Sequence, residues 1–92
     1  MAKAIWKFRL AITDEQSVHL PTGAIPLHAD EQFGEVFLWA LVDPEAKAAP
    51  VRVRIVGTGH AFEDGDKWRH FATVLAHGGG FVWHIFFPKE AP

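Results

Sequence analysis

Along most of this sequence, apolar and polar side chains alternate over short segments. In residues 5–12 large apolar side chains occupy every second position: Trp6, Phe8, Leu10 and Ile12. Because successive side chains of a β-strand point to opposite faces of a sheet, this spacing predicts a half-buried strand with Lys7 and Arg9 on its wet face. Residues 51–56 repeat the pattern, and there the alternation directs Arg52 and Arg54 outward.

Five more segments are predicted to be strands, and residues that favour turns separate them. They cover residues 17–20, 25–29, 35–42, 67–76 and 81–87. Pro26 cannot donate a backbone hydrogen bond, which predicts an edge strand at 25–29. The almost continuous apolar run at 35–42 is typical of a central strand covered on both faces. No segment has a convincing helical period, and residues 68–76 are the best remaining candidate for a helix.

These segments predict an all-β fold, a single antiparallel β-sandwich or partly open barrel of about seven short strands. The chain of 92 residues fits one domain, 1–92, and contains no cysteine that could form a disulfide. Four tryptophans and eight phenylalanines exceed what one small core is expected to enclose. Because exposed apolar patches usually mark interfaces, we expect a homo-oligomer.

The charge and hydropathy of the chain limit the kinds of partner it can have. Nine lysines and arginines face eleven acidic residues, for a net charge of −2, so the basic surface of a protein that binds long nucleic acids is not expected. No apolar stretch approaches the length of about 18 residues that spans a membrane. The N-terminus lacks the pattern of a signal peptide. Together with the absence of cysteine, this predicts a cytoplasmic protein with no membrane partner.

Residues that usually carry catalysis are sparse in this chain. Ser17 is the only serine, and although it shares a predicted face with His19, a nucleophile also needs a base that a third group orients. Six histidines raise the question of a metal site, yet none follows a known metal-binding spacing. We therefore predict no enzyme, no cofactor and no catalytic residue. A metal site built from separate strands stays open as an alternative, for instance from His60, His70 and His84.

The segment Gly57-Thr58-Gly59-His60 has glycines of the kind that expose backbone N–H groups to an anion. It does not match a dinucleotide-binding loop, because Phe62 stands where a third glycine is needed. Two interpretations stay open. The segment is either a bulge or strand end that requires unusual backbone angles, or an anion contact through Thr58 and His60.

A basic face is the strongest candidate for a binding surface. Four cations would line one sheet if the first and fifth predicted strands were neighbours: Lys7, Arg9, Arg52 and Arg54. Trp39 or Trp83, and also His84, would lie close to them. Such a surface could hold a phosphate-bearing ligand by forked arginine contacts and aromatic stacking. The alternative is a solvated face on which lysine and arginine guard against edge pairing.

Three strings of residues also carry a resemblance that spans nearly the whole chain: LWALVDP at 38–44, RIVGTGH at 54–60 and FVWHIF at 81–86. With the opening IWKF at 5–8, the sequence resembles a family of small uncharacterised proteins of tailed phages and prophages. The resemblance implies a phage-related origin and expression in the host cytoplasm. It implies no activity and no residue role.

The leading hypothesis is a non-enzymatic, phage-type binding protein that sequesters a nucleotide-like host immune signal. Six residues are predicted to bind this ligand: Arg52, Arg54, Thr58, His60, Trp83 and His84. The second hypothesis is an interaction or assembly module that docks a host or virion protein. The third is a small metal-dependent enzyme that uses histidines borne on strands.

Overall fold

Two antiparallel sheets pack into a sandwich in the computed structural model, which describes residues 2–89. Seven strands build it: β1 (Ala4–Leu10), β2 (Glu15–Pro21), β3 (Ile25–Gln32), β4 (Glu35–Val42), β5 (Ala48–Gly57), β6 (Trp68–Ala76) and β7 (Phe81–Pro88). The three-stranded sheet has the order β1-β4-β3, and the four-stranded sheet has the order β2-β5-β7-β6. The predicted all-β fold of about seven strands is confirmed, as a sandwich of two open sheets rather than a barrel.

The three-stranded sheet has the central strand and the edge strand that the sequence predicts. β4 pairs with β1 on one side and with β3 on the other, and Pro26 lies in edge strand β3. The register slips between Pro26 and His28, which makes Leu27 the extra residue of a β-bulge. The prediction that β4 is covered on both faces holds for its inner face only, because the side chains of its outer face are half-buried.

β6 covers residues 68–76, the best remaining candidate for a helix in the sequence, and it is a strand throughout. Its register with β7 slips between His70 and Ala72, so Phe71 is the extra residue of a second bulge. Before this bulge Trp68 and His70 point outward, and after it Thr73 does. The extra residue reverses the alternation and keeps Phe71 packed against the core.

β5 is longer than the sequence predicts, because pairing with β2 extends it into the expected loop. Pro50 lies opposite His19 in this ladder. β7 pairs only with the end of β5, from Arg54 to Gly57. Within residues 2–89, Pro50 therefore has a neighbouring strand on one side only, a position where proline is tolerated.

The inner faces of both sheets supply the core. Its most completely buried side chains are aliphatic: Leu10, Leu20, Leu38, Val42, Val53, Val74 and Ile85. Among residues 2–89 no polar or charged residue is buried. Hydrophobic burial therefore stabilises the sandwich.

Two short 3₁₀ turns are the helical elements of residues 2–89: Gly65–Lys67 and His77–Gly79. They lie before and after β6, in segments that the sequence predicts as connections. In the part of the chain that the structure describes, no helix has the length and the apolar character that crossing a bilayer requires.

Leu38→Ala is expected to lower the free energy of unfolding by about 2–5 kcal/mol, because it empties a completely buried position in the core. Leu75→Ala is the matched control. It removes the same atoms from an outward side chain that is 61% exposed, so a change below about 0.5 kcal/mol is expected. Urea denaturation followed by tryptophan fluorescence measures both variants. Equal losses would contradict this assignment of inner and outer faces.

Candidate functional site

Four of the six predicted ligand-binding residues lie on or beside the outer face of the four-stranded sheet. Arg54 of β5 pairs with Phe86 of β7, and directly opposed residues share a face. Arg52 and His84 occupy that face two residues away along their strands. Thr58, just after β5, reaches it through a hydrogen bond with His84.

Arg54 is held in place by three contacts. Its Nε donates a hydrogen bond to the carbonyl oxygen of Asp14, at 2.9 Å. The central carbon of its guanidinium lies 4.8 Å from the ring centre of Phe62 and 5.4 Å from that of Trp68. Contact with aromatic faces leaves the edge of the guanidinium plane free to donate. Within residues 2–89, the two terminal nitrogens of Arg54 have no hydrogen-bond acceptor.

Arg52 is already engaged by a carboxylate. Its Nε and one terminal nitrogen both contact Oε2 of Glu15 at 2.8 Å, and its guanidinium lies 5.0 Å from the ring centre of Trp68. A bound anion would have to compete with Glu15 for this side chain. Arg54 is therefore the arginine whose fork is open to a ligand.

The connection between β5 and β6 folds back over the same face and forms one wall of the site. Its anchor is Phe62, whose ring centre lies 4.7 Å from that of Phe86 in an edge-to-face contact. Gly65 packs directly on this ring, because a Cβ built there would come within 3.2 Å of Phe62. Asp64 turns the chain with a φ of 59°. A tight turn thus holds an aromatic ring over the sheet.

An open cleft of about 690 Å³ lies between this connection and the ends of the neighbouring strands. Nine residues line it: Glu15, Arg52, Arg54, Asp64, Asp66, Lys67, Trp68, Pro88 and Lys89. Trp68 is buried beneath the two arginines. The cleft therefore combines an aromatic floor with charged walls.

Charges of both signs line the cleft, and two ion pairs neutralise part of them: Arg52 with Glu15, and Lys67 with Asp64. In the described part of the chain, Arg54, Lys89 and Asp66 have no ion-pair partner. Two cations against one carboxylate leave a small excess of positive charge. An anionic ligand would meet this excess at Arg54.

A chain of hydrogen bonds crosses the same outer face. Nε2 of His84 lies 2.7 Å from Oγ1 of Thr58, and Nδ1 of His84 lies 3.0 Å from Oγ1 of Thr73. The Thr73 hydroxyl also lies 2.9 Å from Nε2 of His70. Because a hydroxyl both donates and accepts, the chain forms with either tautomer of His84. Both nitrogens of His84 are thereby occupied, so the capacity left for a ligand beside the cleft lies at the threonine hydroxyls.

The other two predicted residues, His60 and Trp83, lie on the inner side of the sheet. A Cβ on Gly57 would come within 3.0 Å of the His60 imidazole and 3.3 Å of the Trp83 ring, so glycine lets both rings pack there. Gly59 has a φ of 86°, and the N–H of His60 donates to the carbonyl oxygen of Gly57 at 3.1 Å. The segment is a strand end closed by a turn. The Thr58 hydroxyl bonds His84 on the outer face, while the His60 ring packs over Gly57, and the anion contact through these two residues stays a prediction.

The predicted face of four cations does not form, because β1 and β5 belong to different sheets. Lys7 pairs with Trp39 on the outer face of the three-stranded sheet, and Arg9 follows on the same face. The prediction that these residues join Arg52 and Arg54 is therefore wrong. Alternation shows which face a side chain takes within its strand, but it does not show which strands are neighbours.

The histidines of the metal alternative do not converge. The ring centres of His70 and His84 lie 6.4 Å apart with the Thr73 hydroxyl bonded to both, and His60 lies on the other side of the sheet. Among the residues described, no group of three or more histidine, aspartate and glutamate side chains is placed to hold a metal ion.

Two aromatic residues that shape the cleft, Phe62 and Trp68, are absent from the predicted set. Trp68 could have been found, since it lies two residues from His70 on a predicted strand and so shares its face. Phe62 lies in an irregular connection where no periodicity applies. Alternation counted from His70 predicts that Thr73 points inward. The bulge at Phe71 reverses the alternation, so Thr73 points outward.

Thr73→Val is expected to separate His70 from His84, because the variant keeps the shape of the side chain and removes the shared hydroxyl. The ring ¹⁵N chemical shifts of both histidines should change, whereas Thr73→Ser should largely preserve them. Exposed hydrogen bonds contribute little, so the free energy of unfolding should fall by about 1 kcal/mol or less. Ring shifts in Thr73→Val that match the wild type would contradict the chain.

Comparison with known proteins places the chain in a family. No curated protein and no solved structure matches it. A family model described as domain of unknown function DUF7352 matches residues 1–92. Since the match covers the whole chain, this protein belongs to the DUF7352 family.

Proposed function

We propose that this protein is a non-enzymatic binding protein that holds a small phosphate-bearing molecule on the outer face of its four-stranded sheet. The observation that carries the proposal is the state of Arg54. Its guanidinium is fixed by Phe62, Trp68 and the Asp14 carbonyl, its terminal nitrogens have no acceptor among residues 2–89, and the residue lines an open cleft.

A pre-positioned guanidinium suits a phosphate for two reasons. Its parallel N–H groups match two phosphate oxygens, and charge-assisted hydrogen bonds of this kind are stronger than neutral ones. Aromatic contacts restrict the side chain before the ligand arrives, so less conformational entropy is lost on binding. Lys89 at the edge of the cleft adds a second cation without an ion-pair partner in the described residues.

The rest of the outer face fits the sugar or base of a nucleotide. Phe86 lies beside Arg54 in the neighbouring strand, and His84 is two residues further along, about 7 Å at the usual rise of a strand. The hydrogen-bonded threonine and histidine side chains there can donate and accept. A nucleotide could place its phosphate at Arg54 and its polar groups at the Thr58 and Thr73 hydroxyls beside His84.

The biological role that we propose is sequestration of a nucleotide-like host immune signal. The role draws on the resemblance to small proteins of tailed phages and prophages, and it requires the protein to act in the host cytoplasm. A binding protein without catalytic groups lowers the free concentration of a signal by mass action. This role requires that the protein accumulate to at least the concentration of the signal.

Arg54→Ala is expected to weaken ligand binding about 10- to 100-fold, the effect of losing charge-assisted hydrogen bonds. Isothermal titration against cyclic nucleotides, cyclic dinucleotides and ADP-ribose derivatives first identifies the ligand. Arg54→Lys keeps the charge but loses the fork, so its affinity should fall between those of the wild type and the alanine variant. Arg69→Ala is the matched control, because Arg69 pairs with the inward residue Phe87 and lines a different cleft.

Absence of heat with every member of the panel would remove the sequestration role. If a ligand binds, equal affinities of Arg54→Ala and Arg69→Ala for it would show that it binds away from Arg54. The second candidate function, docking to a host or virion protein, is favoured by Phe33, which is 89% exposed in the connection between β3 and β4. That function predicts partner capture that is insensitive to Arg52→Ala and Arg54→Ala but lost in Phe33→Ser.

A further inference from the structure

The outer face of the three-stranded sheet has an apolar centre, and no layer is packed on it among residues 2–89. Strand register places three rows across it: Ile5-Leu41-Ile25, Lys7-Trp39-His28 and Arg9-Phe37-Asp30. Ile5 is 61% exposed and Ile25 is 54% exposed. The side chains that β4 contributes to the centre of each row are half-buried. An apolar patch rimmed by charges is the usual composition of an interface.

The charges on this face are divided between its two edges. Arg9 lies at the β1 edge, whereas β3 contributes Asp30 and the imidazole of His28, whose Nε2 lies 3.5 Å from an Asp30 oxygen. Lys7 of β1 reaches across the face: its Nζ lies 4.5 Å from the ring centre of Phe37 and donates to Oε1 of Gln32 at 2.8 Å. Arg9 lies 3.3 Å from Glu35 through one terminal nitrogen. The rest of its guanidinium is exposed to solvent and can bind another carboxylate. Positive and negative edges on one face make the face complementary to itself.

We propose that this face binds a second copy of the same chain, with a two-fold axis parallel to β4. Rotation about that axis lays β1 of each copy over β3 of the other. Each Arg9 then faces Asp30 of the second copy, and each Ile5 faces Ile25, because the rows defined by the register superpose. The half-buried side chains of β4 meet their own counterparts at the centre.

The other face-to-face arrangement is excluded by charge. A two-fold axis perpendicular to the strands and centred on the row of Trp39 would place Lys7 opposite Lys7. It would also set Arg9 against Ile5 and Asp30 against Ile25, which buries two charges on aliphatic side chains. Of these two axes, the one parallel to the strands pairs Arg9 with Asp30 and Ile5 with Ile25, and it sets Lys7 opposite His28.

The dimer is expected to be weak. A face of three strands and about eight residues covers roughly 400 Å² per copy at the usual strand spacing and rise. Two such faces fall below the area of a standard stable interface. We therefore expect dissociation in the micromolar range, where complementary charges decide whether the contact forms.

Charge reversal tests this arrangement. Sedimentation velocity from about 10 to about 500 µM should show the wild type shifting from monomer to dimer, and Arg9→Asp and Asp30→Arg should each stay monomeric. The double variant, with both substitutions, should dimerise again because it exchanges the partners of each pair. Arg69→Asp is the control, since its arginine lies on the four-stranded sheet, and it should behave as the wild type does.

Circular dichroism checks that each single variant is folded. We expect both to fold, because Arg9 and Asp30 are exposed. A wild type that remains monomeric at the highest concentration would overturn the proposal, and so would single variants that still dimerise. Failure of the double variant to recover would also overturn the proposed pairing. None of these outcomes depends on the ligand cleft, which lies on the other sheet.

Discussion

Burial of two sheet faces against each other is the interaction on which the rest of this structure depends. The chain has no cysteine and, among residues 2–89, no buried polar side chain, so the aliphatic inner faces supply its stability. Where strict alternation would point a core side chain toward solvent, the pairing register shifts by one residue. The bulge at Phe71 keeps that ring in the core, and as a consequence it brings Thr73 to the outer face beside His84.

The two outer faces carry different chemistry, although they come from strands of similar length and pattern. The four-stranded sheet presents arginine, imidazole and hydroxyl groups over aromatic rings, and the connection that carries Phe62 turns that surface into a cleft. The three-stranded sheet presents aliphatic and aromatic side chains with opposite charges at its edges. Because these faces lie on opposite sides of the sandwich, the proposed ligand binding and the proposed self-association use separate surfaces.

Much of the candidate site depends on contacts that no short pattern reveals. Arg54 suits the proposed anion because Phe62, Trp68 and the Asp14 carbonyl hold its side chain, and Asp14 lies 40 positions away in the chain. The open edge of its guanidinium follows from Glu15 pairing with Arg52 instead. A sequence shows that two arginines face outward, but it does not show which of them already has a carboxylate.

Local alternation was sufficient to predict the all-β class, about seven strands, a central β4 and an edge strand at Pro26, because each depends on neighbours within one segment. Alternation does not predict strand order, because pairing joins residues that are distant in the chain. A strand has the same alternation whichever strand lies beside it. For that reason the four cations expected on one face lie on two different sheets. The turn after Gly57 likewise sent Thr58 and His60 to opposite sides, since backbone angles there, and not side-chain periodicity, set their directions.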